Sequence, residues 1–198
     1  PYCIINSRED EILNLAVFSR WPVGNVQEYY FPDSYNKMLQ ADIRMIGQTF
    51  RLFNVHLQTT GMNESSSMKD RLQTMHRHTI QRNRQADLLA NAIAESPYPV
   101  IVCGDFNDSP ISYAHRVIGK GLKDAFVESG NGFGISYNQN HFYFRIDNIL
   151  LSKNLKSYRC TVDNTIKSSD HYPIWCYVAK KWFYVPLIDS LWKDYYLR

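Results

Sequence analysis

The sequence lacks the long apolar run that a membrane-spanning helix needs. No apolar stretch approaches the ~18 residues required, and no charged segment followed by an apolar core marks an export signal. The chain begins with Pro1 rather than Met. We therefore expect a fragment of a longer protein, and a chain that itself neither spans a membrane nor directs export.

Cysteine is scarce, and the cysteine residues show no spacing that is typical of a metal site. Two of them lie in apolar runs, where a thiol behaves as a small hydrophobic side chain. We therefore expect reduced thiols or packing residues and no zinc centre. The four positions are Cys3, Cys103, Cys160 and Cys176.

A large excess of charge of one sign is also absent. The net charge is +3, which favours an anionic partner only weakly and does not separate nucleic acid from lipid head groups or small phosphates. Hydrophobic residues make up 44% and charged residues 21% of the 198 residues, which is the composition of one globular domain with a substantial core. Most of the abundant Tyr, Phe and Trp side chains are expected in that core, and a groove that stacks bases or sugars is their less common use.

The most informative stretch is residues 99–110, with the sequence PVIVCGDFNDSP. Its uncharged, β-branched first half predicts a strand that is buried on both faces, and Gly104 indicates a close backbone approach or a sharp turn. If the chain stays extended, Asp105 and Asn107 point the same way and meet at one small reacting group. The alternative, about equally common for an isolated Gly-Asp-x-Asn, is an ordinary polar turn.

Other segments predict the elements around this strand. Hydrophobic alternation and turn residues predict strands over 14–19, 144–151, 157–162 and 172–178, and a hairpin of 39–46 with 49–57 joined at Gly47-Gln48. Helices are expected over 69–96 and 112–118. The first half of the longer helix is basic, and a solvated face explains this more often than a phosphate-binding patch. Its basic residues are Arg71, His76, Arg77, His78, Arg82 and Arg84.

Six polar residues fall at the ends of predicted strands or in the adjoining loops. Each alone has an ordinary explanation as a turn residue or a satisfied core histidine, but chance rarely places all of them at strand ends. Together they supply oxygen ligands for a hard divalent cation, a base that orients water, and donors for developing charge on a phosphate. They are His56, Asp105, Asn107, Asp147, Asp170 and His171.

Four motifs in order resemble the endonuclease/exonuclease/phosphatase superfamily. They are His56-Leu57, Gly104-Asp-Phe-Asn107, Arg145-Ile-Asp147 with the following Asn148-Ile-Leu150, and Ser169-Asp-His-Tyr-Pro-Ile174. The resemblance covers about residues 14–178, and the layout is similar to uncharacterised, mainly Bacteroidetes-type members whose domain follows N-terminal membrane helices. It implies an α/β (α+β) fold, a four-layer sandwich of two mixed β-sheets face to face, flanked by helices.

The resemblance also implies a role for each motif residue. His56 resembles the histidine that assists the phosphate or leaving group, and Asp105 the carboxylate that aligns the attacking water. Asn107 resembles the amide that stabilises a phosphoryl oxygen of the transition state. Asp147 resembles the acid that orients the motif histidine, here His171.

Two further residues of the motifs have different roles. Asp170 resembles a metal-associated carboxylate. Arg145 also belongs to a motif. We expect it to have a structural role first, with substrate binding as the alternative.

Two motifs of the superfamily have no counterpart. Its opening-strand Asn and the Glu that is the principal Mg²⁺ ligand should precede Asn14, and neither Glu9 nor Glu11 has the apolar strand that surrounds this Glu. The Gln27-Glu28 pair comes too late in the chain. We therefore expect residues 1–179 to be the C-terminal two-thirds of the domain.

Two classes of function remain open. The first is a Mg²⁺- or Mn²⁺-dependent phosphoesterase that attacks a phosphodiester or phosphomonoester of nucleic acid, a phospholipid head group or a small phosphate. The second is a non-catalytic phosphate-binding or scaffold protein that has lost the metal-binding Glu. A paired Asp and His favours the enzyme. No protein partner is indicated, and membrane association is expected only through a segment upstream of Pro1.

Residues 180–198 form an aromatic tail beyond the last motif. Its apolar residues recur at helical spacing, which predicts a short amphipathic helix that docks onto its own domain. The alternative is an interfacial helix that presses aromatic side chains into a membrane surface. The apolar positions are Leu187, Ile188, Leu191, Trp192 and Tyr195.

Overall fold

The computed structural model describes residues 1–6, 14–32, 34–61, 67–139 and 143–180. The tail from 181 to 198, Glu9 and Glu11 lie outside the described residues. The strands are β1 (Tyr2–Asn6), β2 (Leu15–Ser19), β3 (Val23–Tyr30), β4 (Lys37–Met45), β5 (Gln48–His56), β6 (Val100–Asp105), β7 (Leu122–Asp124), β8 (Asp147–Ser152), β9 (Leu155–Val162) and β10 (Ile174–Lys180). The helices are α1 (Met68–Ala94), α2 (Tyr113–Ile118) and α3 (Ala125–Ser129). Among these helices none has the length and apolar character needed to cross a membrane.

A six-stranded mixed sheet lies at the centre of the fold, in the order β3-β4-β5-β6-β8-β7. Neighbouring strands are antiparallel except β5 and β6, which are parallel and joined through α1. Two antiparallel strand pairs, β1-β2 and β9-β10, accompany it. The C-terminal ends of β5 and β6 therefore lie side by side at one edge, as the sequence predicts for His56 and Asp105.

Both faces of the central sheet are covered. On the helix face, Phe53, Val55 and Val102 pack with Ala86 and Leu89 of α1. Alternate residues of the same strands point to the strand-pair face, which is covered by β1-β2 and β9-β10. Burial of a large apolar side chain stabilises the fold by roughly 2 kcal/mol, so the cores on the two faces hold the sheet edge in place. The predicted α+β sandwich with a mixed sheet is confirmed.

The hairpin of β4 and β5 is confirmed, but its turn lies one residue earlier than the sequence indicates. The turn residues are Ile46 and Gly47, with φ of 48° and 74°. Two left-handed residues match the twist of a two-residue hairpin turn. Gly47 is the one residue here whose type indicates a turn. Isoleucine rarely adopts a left-handed conformation, so the sequence does not indicate that Ile46 is the other turn residue.

The long helix is confirmed, and Ser67 starts it by accepting a hydrogen bond from the Asp70 backbone N–H at 3.2 Å. One member of its basic half was assigned wrongly to a solvated face: Arg82 is only 4% exposed. Arg84, two residues further on, is exposed.

Two local predictions need correction. The sequence of residues 123–127 is compatible with a short strand or a turn, whereas β7 ends at Asp124 and a short helix, α3, begins at Ala125. Asp124 caps this helix by accepting from the backbone N–H groups of Phe126 and Val127. The strand predicted over 144–151 begins only at Asp147, because the preceding residues turn away to pair with Tyr137 and Ser136.

Gly104 is required by a close approach between β5 and β6. Its φ is 141°, and a Cβ built on it would lie 1.9 Å from the Val55 carbonyl oxygen. Only glycine fits such a position. The predicted close backbone approach is therefore present, directly before Asp105.

Candidate active site

Three polar side chains form a row across adjacent strands at the edge of the sheet. His56 ends β5 and pairs with Asp105 at the end of β6, and Asp105 in turn pairs with Asp147 at the start of β8. Laterally paired residues share a face of a sheet. All three side chains therefore lie on the strand-pair face.

Asp105 is the most buried carboxylate of this row. Its side chain is 12% exposed, and its Oδ1 accepts a hydrogen bond of 2.7 Å from the Asn107 backbone N–H. Burial, followed by the negative charge of Asp147, raises the pKa of Asp105 to about 7. The group is therefore divided between its acid and base forms near neutral pH.

His171 enters the site from the loop before β10. Its Nδ1 lies 2.7 Å from Asp147 Oδ2, and its ring packs at 5.1 Å against the Tyr137 ring. The hydrogen bond to Asp147 raises the pKa of His171 despite partial burial. Asp147 thus holds the imidazole in one orientation and stabilises its charged form.

His56 has the opposite electrostatic character. Its Nε2 lies 3.6 Å from Asp105 Oδ2, and burial, with the positive charge of His171, lowers its pKa. Within the described part of the chain its buried Nδ1 has no hydrogen-bond partner. The neutral ring therefore carries one buried polar atom whose hydrogen-bonding capacity is unsatisfied.

Asn107 adopts the turn, the second of the two conformations that the sequence leaves open. Its φ is 50°, so the segment is a left-handed turn and not an extended strand. The backbone N–H caps Asp105, and the side-chain Nδ2 donates to the Leu57 carbonyl at 2.9 Å. The turn ties the ends of β5 and β6 together, and an amide Nδ2 carries a second hydrogen for another acceptor.

Arg145 lies behind the row and not in it. Its guanidinium donates to both carboxylate oxygens of Asp124, at 2.7 and 3.1 Å, and to Asn148 Oδ1 at 2.9 Å. The group is 7% exposed and lies 5.2 Å from the Phe126 ring centroid. These contacts are structural, and none of them is to Asp105 or His171.

Asp170 is next to the site but exposed. Its Oδ1 accepts from the Ser169 hydroxyl at 3.0 Å. Among the described residues, one set of three carboxylate and imidazole groups has ligand atoms that all lie within 4.8 Å of one another, and its members are Asp105, Asp147 and His171. Asp170 is thus not part of this cluster.

Sequence reasoning missed Lys37. It begins β4 and pairs laterally with His56, which extends the polar row by one strand. The residue is fully buried, and its Nζ lies 5.5 Å from the Tyr30 ring centroid. A lysine at a strand end ordinarily indicates a solvated position, so only the pairing register reveals its placement.

The donor set fits a hard divalent cation. Asp105 and Asp147 bring two carboxylates close together in a half-buried site, and their mutual repulsion contributes to the raised pKa of Asp105. A cation between such groups removes that repulsion, and carboxylate oxygens are the ligands preferred by Mg²⁺ and Mn²⁺. His171 is already bonded to Asp147, so the carboxylates are the better ligands.

The mixed sheet, with the acid–imidazole set at its edge, defines a protein of the α+β class. A family model described as Endonuclease/Exonuclease/phosphatase family matches residues 3–171. The chain therefore belongs to this family, as its motifs indicate. A search of curated proteins gave no significant match.

Solved structures share the fold. A D. rerio TDP2 complexed with single strand DNA product is 20% identical, with a TM-score of 0.60, and the match covers 80% of this chain and 68% of that one. The mannosyl-6-phosphatase Bt3783 of Bacteroides thetaiotaomicron is 17% identical, with a TM-score of 0.57 and coverage of 80% and 67%. An endonuclease/exonuclease/phosphatase from Bacteroides vulgatus is 19% identical, with a TM-score of 0.62 and coverage of 81% and 66%. This chain thus spans about two thirds of their length.

Proposed function

We propose that this protein hydrolyses a phosphate ester with the help of Mg²⁺ or Mn²⁺. The observation that carries the proposal is the 2.7 Å hydrogen bond between Asp147 and His171 beside the buried Asp105. A binding module has no need for an oriented imidazole next to a carboxylate that titrates near neutral pH.

Asp105 is suited to act on the attacking water. A base works best when its pKa is near the working pH, and burial is the largest cause that raises the pKa of Asp105. Its Oδ1 is fixed by Asn107, and a water proton would pass to its other oxygen, Oδ2. The water is thereby aligned at the end of β6.

The remaining groups stabilise the developing negative charge. The raised pKa of His171 favours the imidazolium, a positive charge that Asp147 holds in place. The second hydrogen of Asn107 Nδ2 and a neutral His56 ring supply donors for phosphoryl oxygens. Asp105 and Asp147 would hold the divalent cation, which when bound supplies Lewis-acid neutralisation of the phosphate charge.

The fold does not select one class of phosphate ester as the substrate. One structural neighbour is named with a single-stranded DNA product and another as a mannosyl-6-phosphatase. A phosphodiester of nucleic acid or a phospholipid head group, and a phosphomonoester, are therefore all to be assayed, because the fold does not choose among them.

The test is turnover of bis(p-nitrophenyl) phosphate and p-nitrophenyl phosphate by the full-length protein, with Mg²⁺, Mn²⁺ or EDTA. We expect turnover of at least one substrate that EDTA abolishes. Asp105→Asn should lower kcat by about 10²-fold or more, with a melting temperature in EDTA equal to that of the unmutated protein.

The matched control is Asp87→Asn, which removes an exposed carboxylate that accepts from Tyr113 on the helix face. It should leave kcat unchanged. Turnover that persists in EDTA would contradict the metal requirement, and a folded, metal-loaded protein without turnover of any phosphate ester would support the non-catalytic alternative.

A further inference from the structure

Two cysteines face each other across the β9-β10 strand pair. Trp175 pairs with Thr161, and Tyr177 pairs with Tyr158, so two residues of β9 lie opposite one residue of β10. The two are Arg159 and Cys160, and the one is Cys176. This is the geometry of a β-bulge.

The bulge turns both thiols to the same side. Arg159 is the extra residue of the bulge: it has a φ of 50° and its side chain is exposed to solvent. The next residue, Cys160, is therefore on the inner face of the strand pair. Cys160 is 2% exposed, Cys176 is half-buried, and both pack in the same apolar cluster on the strand-pair face. Cross-strand neighbours on one face have Cβ atoms about 4.5–5.5 Å apart, close to the separation that a disulfide needs.

The two thiols also influence each other's ionisation. Their interaction raises the pKa of Cys160 and lowers the pKa of Cys176. Cys176 is therefore the better nucleophile as well as the more accessible sulfur. Cys160 is placed to attack it in a second step.

We propose that Cys160 and Cys176 are a modification site at which a peroxide forms a reversible cross-strand disulfide. The Cys176 thiolate attacks one peroxide oxygen, the O–O bond breaks, and a sulfenic acid and one water result. The Cys160 sulfur then attacks the Cys176 sulfur, the S–O bond breaks, and a second water leaves. Two thiols lose two electrons and two protons in total, and the peroxide is reduced to two waters.

The disulfide would restrain the strand that follows the candidate active site. β10 begins at Ile174, three residues after His171, and the bond would pin it to β9. Closing the loop of residues 161–175 limits the unfolded chain more than the folded one. This inference does not depend on the proposed function.

The chain is well suited to a direct test by peptide mapping. Trypsin separates the four cysteines into different peptides, namely residues 1–8, 85–116, 160–167 and 168–180. The full chain would be treated with hydrogen peroxide under native conditions, the remaining thiols alkylated with N-ethylmaleimide, and the digest analysed without reduction. We expect peptides 160–167 and 168–180 joined with the loss of two hydrogens, and separated again by reductant.

The melting temperature gives a second measurement. Oxidised protein should melt about 5 °C higher than reduced protein. Cys176→Ser should lose both the linked peptide and this rise, whereas the controls Cys3→Ser and Cys103→Ala should keep both. Cys103 is the sharper control because it packs against the same cluster.

Peptide mapping uses the unmutated chain, so its result does not depend on whether any cysteine variant folds. Full alkylation of Cys160 and Cys176 after peroxide treatment would overturn the proposal. So would a bond from Cys176 to Cys103 in place of Cys160.

Discussion

Asp147 and His171 act as one group if the 2.7 Å hydrogen bond between them serves to orient the imidazole. Removing either side chain should then cost most of what removing both costs. We expect Asp147→Ala and His171→Ala each to lower kcat by about 10²-fold or more. The kcat of the double variant should lie within about tenfold of the kcat of the less active single variant. A double-mutant cycle on kcat measures this, and losses that multiply in full would show that the two groups act separately.

Asp124 gives the clearest dependence of stability on pH. Its side chain is only 9% exposed. Burial by itself raises the pKa, but hydrogen bonds from His115 and Arg145 outweigh this and lower the pKa to about 2, below the ordinary 3.8. A depressed pKa in the folded state adds stability above pH ~4 that is lost as the pH falls towards 2, by about 2 kcal/mol in all.

Asp124→Asn should therefore destabilise the protein at pH 7, and its deficit against the unmutated protein should shrink between pH 4 and pH 2. Chemical denaturation at each pH measures the difference. Glu95→Gln, which changes an exposed carboxylate, should show no such convergence. A deficit that stays constant down to pH 2 would mean that Asp124 is not charged in the folded state.

Which residues lie at the candidate site was predictable from sequence where a motif coincides with the end of a strand or its adjoining loop, as at His56, Asp105 and His171. The left-handed turn at Asn107 was not predictable, because Asp and Asn two positions apart fit both a strand and a turn. The burial of Lys37 was equally hidden, since it follows from the pairing register of β4 with β5.

At the scale of elements, α1 is clamped to the two loops that carry the site. Arg82 Nε donates to Asp108 Oδ2 at 2.9 Å, and its Nη1 donates to the Gln58 carbonyl at 2.9 Å. One turn later, Gln85 accepts from the Gln58 backbone N–H at 2.7 Å. One helix face thus holds the segments that directly follow His56 and Asn107.

Arg82→Met should lower the free energy of unfolding by about 3 kcal/mol, because it leaves the Asp108 carboxylate and the Gln58 carbonyl without their donor. The matched control is Arg84→Met, which removes the same charge from an exposed position and should change stability by less than about 0.5 kcal/mol. Urea denaturation of both variants measures the difference. Equal effects would show that the Arg82 contacts are not stabilising.

The existence of the elements was largely predictable, because the second half of α1 has a clear helical periodicity and the arms of the hairpin flank a clear turn. Their exact limits were not. The short α3 depends on Asp124, whose side chain caps the helix while also pairing with Arg145, and no local pattern shows this double use.

For the whole molecule, the carboxylate pair predicts that a divalent cation stabilises the fold. A ligand that binds only the folded state adds about 2.7 kcal/mol at a hundred times its Kd. The full-length protein should melt at a higher temperature in Mg²⁺ or Mn²⁺ than in EDTA at equal ionic strength.

Asp105→Asn should lose most of this rise, and Asp87→Asn should keep it. Differential scanning calorimetry against metal concentration gives the measurement. A melting temperature that does not respond to either cation in the unmutated protein would count against a metal site at Asp105 and Asp147.

The approach of Gly104 to the Val55 carbonyl has a consequence for engineering. Any side chain there would force β5 and β6 apart and separate His56 from Asp105. A library that retained every chemical group of the site but varied position 104 would therefore yield mostly inactive clones. Directed evolution of this scaffold should keep that glycine fixed and introduce its diversity elsewhere.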